Sequence, residues 1–171
     1  IIHGDGWYVR NGISLYKGHR IQAIDRAART VTSAQGVTES YDKLVIATGS
    51  LPIILPVPGH DLAGVLTYRD LDDVNAMLLA AQSRAEAVVI GGGLLGLEAA
   101  AGLQSQGMNV TVVHLMPSLM ERQLDPAAGY LLQKALEERG IKVLTKANTK
   151  AIHGAGKVEA VELADGTIIT A

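Results

Sequence analysis

Cysteine is absent from the 171 residues. Disulfides, thiolate-ligated metals, iron–sulfur clusters and dithiol redox chemistry are therefore excluded from within these residues. The same absence fits a reducing, cytoplasmic setting. An excess of charge of one sign is missing too. Fifteen Lys and Arg stand against 17 Asp and Glu, a formal net charge of −2, which favours neither nucleic acid nor an anionic membrane as partner. No apolar run approaches the ~20 residues of a membrane-spanning helix, and no secretory leader is visible. His3, His19, His60, His114 and His153 fall at no metal-ligand spacing, so no metal site is expected. Ser50 lacks the G-x-S-x-G context of an activated nucleophile and reads as a turn serine.

What is present describes a globular α/β chain: 48% hydrophobic and 19% charged residues. Residues 1–58 read as short strands and turns. A helical turn is expected at Gly6–Asn11, and strands at Ile13–Leu15, Arg20–Ile24, Thr30–Thr32 and Glu39–Tyr41. Lys43–Ala47 reads as a buried strand, because Leu44 to Ala47 are continuously apolar. Pro52, Pro56 and Pro58 then hold the backbone extended and mark a domain boundary, with a second domain over 59–171. There the pattern predicts a helix at Asp70–Ala81, with Leu71, Val74, Leu78 and Ala81 on its apolar face. A fully buried strand follows at Ala87–Ile90, then a helix at Leu94–Gln106 and a strand at Val110–His114. Asp125 is placed to cap a helix that starts at Pro126 and runs to Arg139, before a strand at Ile141–Leu144. Ala151–Ile152, Val158–Leu163 and Thr167–Thr170 read as an antiparallel meander, turned at Asp165-Gly166. The expected fold is a Rossmann-like, doubly wound parallel sheet with an antiparallel meander. The chain begins at Ile1 and ends within an apparent strand, Ile168 to Ala171, so it reads as an internal piece of a longer polypeptide. Exposed strand edges at its ends would favour self-association.

The chemistry concentrates in Ala87-Val-Val-Ile-Gly-Gly-Gly-Leu-Leu-Gly-Leu-Glu98. Gly91, Gly93 and Gly96 stand at G-x-G-x-x-G spacing between an apolar strand and a helix. The first permits the tight turn, the second lets a pyrophosphate approach the backbone, and the third lets the helix pack closely. The N–H groups at the helix start, around Leu94 and Leu95, and the positive end of its dipole then face the phosphates. A glycine-rich turn without ligand is the plainer alternative. An acid that binds the adenosine ribose is expected about 20 residues further on, but the second strand ends in His114. A neutral imidazole can hydrogen-bond a ribose hydroxyl, and a protonated one attracts a 2′-phosphate. Arg122 could also reach a 2′-phosphate. NAD and NADP both stay open. Glu98, expected in the first turn of the glycine-loop helix, either complements the dipole or faces the nicotinamide end.

Two motifs stand in a telling order: Tyr41-Asp-Lys-Leu-Val-Ile-Ala-Thr-Gly-Ser50 first, the glycine loop after it. That pair resembles the glutathione-reductase-like flavoprotein reductases, in which an Ala-Thr-Gly segment closes the first part of an FAD domain before the chain crosses to an NAD(P) domain. Residues 1–58 would then be a partial FAD-domain segment, with Ala47, Thr48 and Gly49 lying against FAD. Gly4–Gly12, Ala27–Thr32 and above all Val112–Asp125 are similar to the large-subunit family of NAD(P)H-dependent nitrite reductases, a subgroup that His114 fits. Rubredoxin and ferredoxin reductases are the close alternatives. A second alternative is a nucleotide-binding piece without catalysis of its own. The resemblance implies that NAD(P)H binds on the glycine loop and passes hydride to FAD. Electrons would then go to iron–sulfur and sirohaem centres held elsewhere in the polypeptide, which reduce nitrite to ammonia. No catalytic acid or base within this chain is implied.

Overall fold

A computed structural model describes residues 3–82 and 86–171. The chain divides into two compact units, Ile1–Gly49 and Ser50–Ala171. Residues 1 and 2 of the expected first segment lie outside the described residues.

The first unit opens with α1 (Asp5–Arg10) and carries an antiparallel sheet of β1 (Ile21–Asp25), β2 (Thr30–Ser33) and β3 (Thr38–Ser40), in that order. The turn between β1 and β2 forms because the Asp25 carboxylate accepts from the N–H groups of Ala27 and Ala28, at 2.9 and 2.8 Å. Two expected strands are absent. Ile13–Leu15 is irregular and exposed, because it lies between a helix end and the turn at Gly18 and pairs with no described strand. Lys43–Ala47 is likewise irregular, with Val45 85% and Ile46 67% exposed. Its apolar side chains suit a strand covered on both faces, but the described residues place no strand beside it to complete a ladder.

The second unit contains α2 (Leu71–Ala81), β4 (Glu86–Ile90), α3 (Leu94–Ser105), β5 (Asn109–Val113), α4 (Pro126–Glu138) and β6 (Lys142–Leu144). It closes with the meander of β7 (Thr149–His153), β8 (Ala160–Leu163) and β9 (Ile168–Thr170). Strands β4, β5 and β6 pair in parallel in that order, from Glu86 opposite Asn109 to Val113 opposite Leu144. Each crossover is a helix, as parallel pairing requires. Alternation along the strands sorts side chains to two layers. Val110, Val112 and Val143 join Leu97, Ala100 and Leu136 from α3 and α4 in the main core, with fully buried Leu119. Val88, Val113 and Leu144 face the other way, onto Val161, Leu163 and Ile169 of the meander. One face of the sheet is thus covered by helices and the other by an antiparallel sheet. At the meander's second turn, Gly166 N–H donates to the Leu163 carbonyl (3.0 Å) and Asp165 accepts from Thr167 N–H (2.9 Å). The crossing segment is fastened to this unit. Ile152 N–H donates to the Pro58 carbonyl and Val158 N–H to the Ala63 carbonyl, both at 2.8 Å.

Helix boundaries follow the caps. Asp70 accepts from the N–H groups of Asp72 and Asp73 and starts α2 as half of a capping box. Asp125 accepts from Ala128 N–H with Pro126 in the first turn of α4. Burial departs from expectation at two elements. The apolar stripe of α2 is mostly in solvent: Leu71 is 70% and Leu78 44% exposed, and only Ala81 is buried. Strand β4 is half-buried rather than fully buried, because it stands at the end of the described three-stranded sheet.

Candidate functional site

The loop between β4 and α3 is shaped by four glycines, each for its own reason. Gly91 has φ +127, a conformation that side chains disfavour, and its N–H continues the ladder to the Val113 carbonyl at 2.9 Å. A Cβ on Gly96 would collide with the Gly91 carbonyl oxygen, so the third glycine of the motif lets the first turn of α3 lie on the loop. A Cβ on Gly93 would meet no protein atom within 4 Å. The space in front of this residue is open, as the approach of a phosphate requires.

Gly93 is the N-cap of α3 and offers no side chain to cap it. The first intrahelical bond at this end runs from Leu97 N–H to the Gly93 carbonyl (3.0 Å), so the N–H groups of Leu94, Leu95 and Gly96 precede the helical ladder. Leu94 is 63% and Leu95 42% exposed, which leaves this end of the helix facing solvent. Such an end can hold a diphosphate through backbone donors and the helix dipole.

Gly92, between the first two glycines of the motif, is the residue that spacing alone does not single out. Its N–H donates to His114 Nδ1 at 3.0 Å, and its carbonyl accepts from Met120 N–H at 3.0 Å. A Cβ there would stand 2.6 Å from Leu119 Cδ2 and 2.7 Å from His114 Cγ. The loop is therefore clamped from below by the segment that follows β5. Met120 takes a left-handed conformation (φ 51), which brings its N–H to the loop.

His114 sits immediately after β5, only 8% exposed, with its own N–H donated to the Leu144 carbonyl (2.8 Å). Both ring nitrogens are engaged within the protein. Because Nδ1 accepts from Gly92, the proton of the neutral ring is on Nε2, which donates to Glu121 Oε2 at 3.1 Å. The contact with Glu121 is then a hydrogen bond from a neutral imidazole. Glu121 holds its carboxyl below the usual carboxylate range, through its own backbone N–H first and the His114 hydrogen bond second.

Other expected site residues stand apart from this cluster. Glu98 is exposed and in the second turn of α3, whose first turn has no acid, so the dipole reading for it loses most of its force. Arg122 is exposed beside Glu121 and acts on it only through its charge. Ala47, Thr48 and Gly49 belong to the first unit and are exposed, and a Cβ on Gly49 would meet nothing within 4 Å. Among the described residues no group of His, Asp and Glu is arranged to hold a metal, and no helix is long and apolar enough to cross a membrane.

Residues 8–171 match the family model described as pyridine nucleotide-disulphide oxidoreductase. The chain is 48% identical over 165 residues to the nitrite reductase [NAD(P)H] of Bacillus subtilis (strain 168), covering 96% of this chain and 20% of that protein. It is 44% identical over 170 residues to the assimilatory nitrate reductase electron transfer subunit of the same organism, covering 99% of this chain and 22% of that protein. Among solved structures, a ferredoxin reductase from Rhodopseudomonas palustris superposes with a TM-score of 0.92 at 30% identity, over 99% of this chain and 42% of that one. The chain thus spans about a fifth of the length of these two Bacillus relatives.

Proposed function

This chain belongs to the pyridine nucleotide-disulphide oxidoreductase family, and we propose that it is the part of a flavoprotein reductase that binds NAD(P)H and presents it to FAD, in a polypeptide that reduces nitrite to ammonia. The observation that carries the reading is the open cradle at Gly93, framed by the turn at Gly91 and the close contact of Gly96 with the Gly91 carbonyl. Sequence likeness to a nitrite reductase [NAD(P)H] supports the choice of reaction. Likeness to an electron transfer subunit and to ferredoxin and rubredoxin reductases supports the broader one, electron delivery from a pyridine nucleotide.

In this reading the backbone N–H groups of Leu94, Leu95 and Gly96 hold the pyrophosphate at the start of α3. Gly91 and Gly93 bring the backbone against it, and the end of β5 meets the adenosine ribose. His114 is spent beneath the loop and positions it through Gly92. Bound FAD would supply the chemistry of taking up hydride and passing electrons on singly. Ala47, Thr48 and Gly49 are open enough to lie against it. The chain's own task is to bind and orient, which requires no acid or base. The domain division at 58/59, the remainder of the same polypeptide as partner and a cytoplasmic location belong to the same proposal.

The test uses the intact polypeptide. Gly93→Ala should leave thermal stability near that of the parent, since the added methyl meets no protein atom. It should weaken ADP-ribose binding at least roughly tenfold by filling the cradle, read by calorimetry, and slow NADH-to-ferricyanide electron transfer in parallel. Unchanged ADP-ribose affinity in Gly93→Ala would overturn the reading.

A further inference from the structure

A dinucleotide site on this kind of loop meets the adenosine ribose at the end of the second strand, where an acid both bonds the 2′-hydroxyl and repels a 2′-phosphate. Here that strand is β5, and the residue that follows it is His114, which carries no negative charge in the tautomer its partners dictate. The charge is nevertheless close by. Glu121 Oε2 lies 3.1 Å from His114 Nε2, on a side chain that is 29% exposed. Three bonds fix its place. Gly92 N–H sets the tautomer of His114, His114 Nε2–H holds the carboxylate, and Met120, the residue before Glu121, is tied to the Gly92 carbonyl. Leu119, wholly buried, anchors the same turn beside Gly92. A surface glutamate on a free loop would have none of these constraints.

We propose that Glu121, held by His114, supplies the negative charge that the end of β5 lacks, and that it disfavours a nucleotide carrying a 2′-phosphate on its adenosine ribose. Discrimination here is by repulsion. His114 is a positioning residue, which links the loop to the carboxylate without contributing charge. Arg122, the neighbouring cation, opposes Glu121; both residues are exposed, and the carboxylate is the group held in place by a hydrogen bond from His114. The inference rests on the nucleotide site proposed above.

Two probes separate the charge from the cradle: ADP-ribose and 2′-phospho-ADP-ribose, titrated into the intact polypeptide by calorimetry. Glu121→Gln keeps an acceptor for His114 Nε2–H and removes only the charge. It should tighten the 2′-phosphorylated probe roughly tenfold, as expected for relief from a nearby like charge, with ADP-ribose held within about twofold. His114→Asn retains an oxygen that can accept from Gly92, while its shorter amide does not reach the Nε2 position from which Glu121 is held. In that background the Glu121→Gln effect should shrink to about twofold or less, while ADP-ribose still binds. An unmoved ratio between the probes in Glu121→Gln overturns the proposal and leaves the nucleotide site standing. So does a ratio governed by Arg122→Ala instead. Failure of the parent protein to bind ADP-ribose overturns the site itself, and this inference with it.

Discussion

A methyl group on Gly92 would have to displace the ring of His114 or the end of Leu119, and both are packed in the core. Gly93, next to it, has only solvent before it. The two neighbours therefore answer different questions. Gly92→Ala should destabilise the fold by about 1–3 kcal/mol, the usual cost of overpacking a dense site, whereas Gly93→Ala should not. Urea unfolding of both variants is the measurement. Equal midpoints for Gly92→Ala and the parent would show that the ring and Leu119 yield freely. Gly92 also explains why G-x-G-x-x-G is an incomplete description of this loop. The motif names the glycines that a ligand and a helix require, while Gly92 is required by a histidine 22 residues away. No local pattern carries that information, though the unusual His114 at a strand end was a signal that something replaced the acid.

Among the elements, α2 shows how far local chemistry can act without burial. Its start is tightly specified. Asp70 caps the N–H groups of Asp72 and Asp73, and Asp73 returns to the N–H groups of Arg69 (2.7 Å) and Asp70 (3.2 Å) and to the Thr67 hydroxyl (2.7 Å). Asp70→Ala should cost about 1 kcal/mol and fray the first turn, visible as faster amide exchange at Asp72 and Asp73. The Thr67 hydrogen bond, ahead of the two backbone ones, holds the Asp73 carboxyl below its ordinary range. A carboxyl whose folded value is lowered stabilises the fold fully above its unfolded value and loses that contribution as pH falls through the folded one. Protection of this turn should therefore persist at neutral and mildly acidic pH. It should fade only below the ordinary aspartate range, and Asp73→Asn should flatten that loss. The same capping logic made α4 legible from Asp125 and Pro126. In contrast, the apolar face expected for α2 depends on a covering layer, and the described residues leave Leu71 and Leu78 of that face 70% and 44% exposed.

At the scale of the whole molecule, large apolar side chains in solvent set the behaviour of this chain by itself. Val45 in the first unit, and Leu51 and Ile53 in the second, are 85%, 88% and 94% exposed. Large apolar side chains left in solvent favour association. The chain alone is expected to self-associate with rising concentration, followed by sedimentation velocity. Val45→Asp together with Ile53→Asp should shift it toward monomer without altering its helix signal. A monomer at all concentrations would overturn this expectation.

The amino-acid sequence by itself determined what is local. It marked the helix start at Asp70 and the cap at Asp125, the parallel strands and their intervening helices, and the three glycines of the loop, because capping, periodicity and turn chemistry act within a few residues. Its two motifs also pointed to the family. Only the tertiary structure decided which apolar runs are covered: Lys43–Ala47 is no strand, since a strand exists only beside another that completes its hydrogen bonds. Only the tertiary structure joined Gly92, His114, Met120 and Glu121, because a buried ring chooses its tautomer from partners brought near by packing.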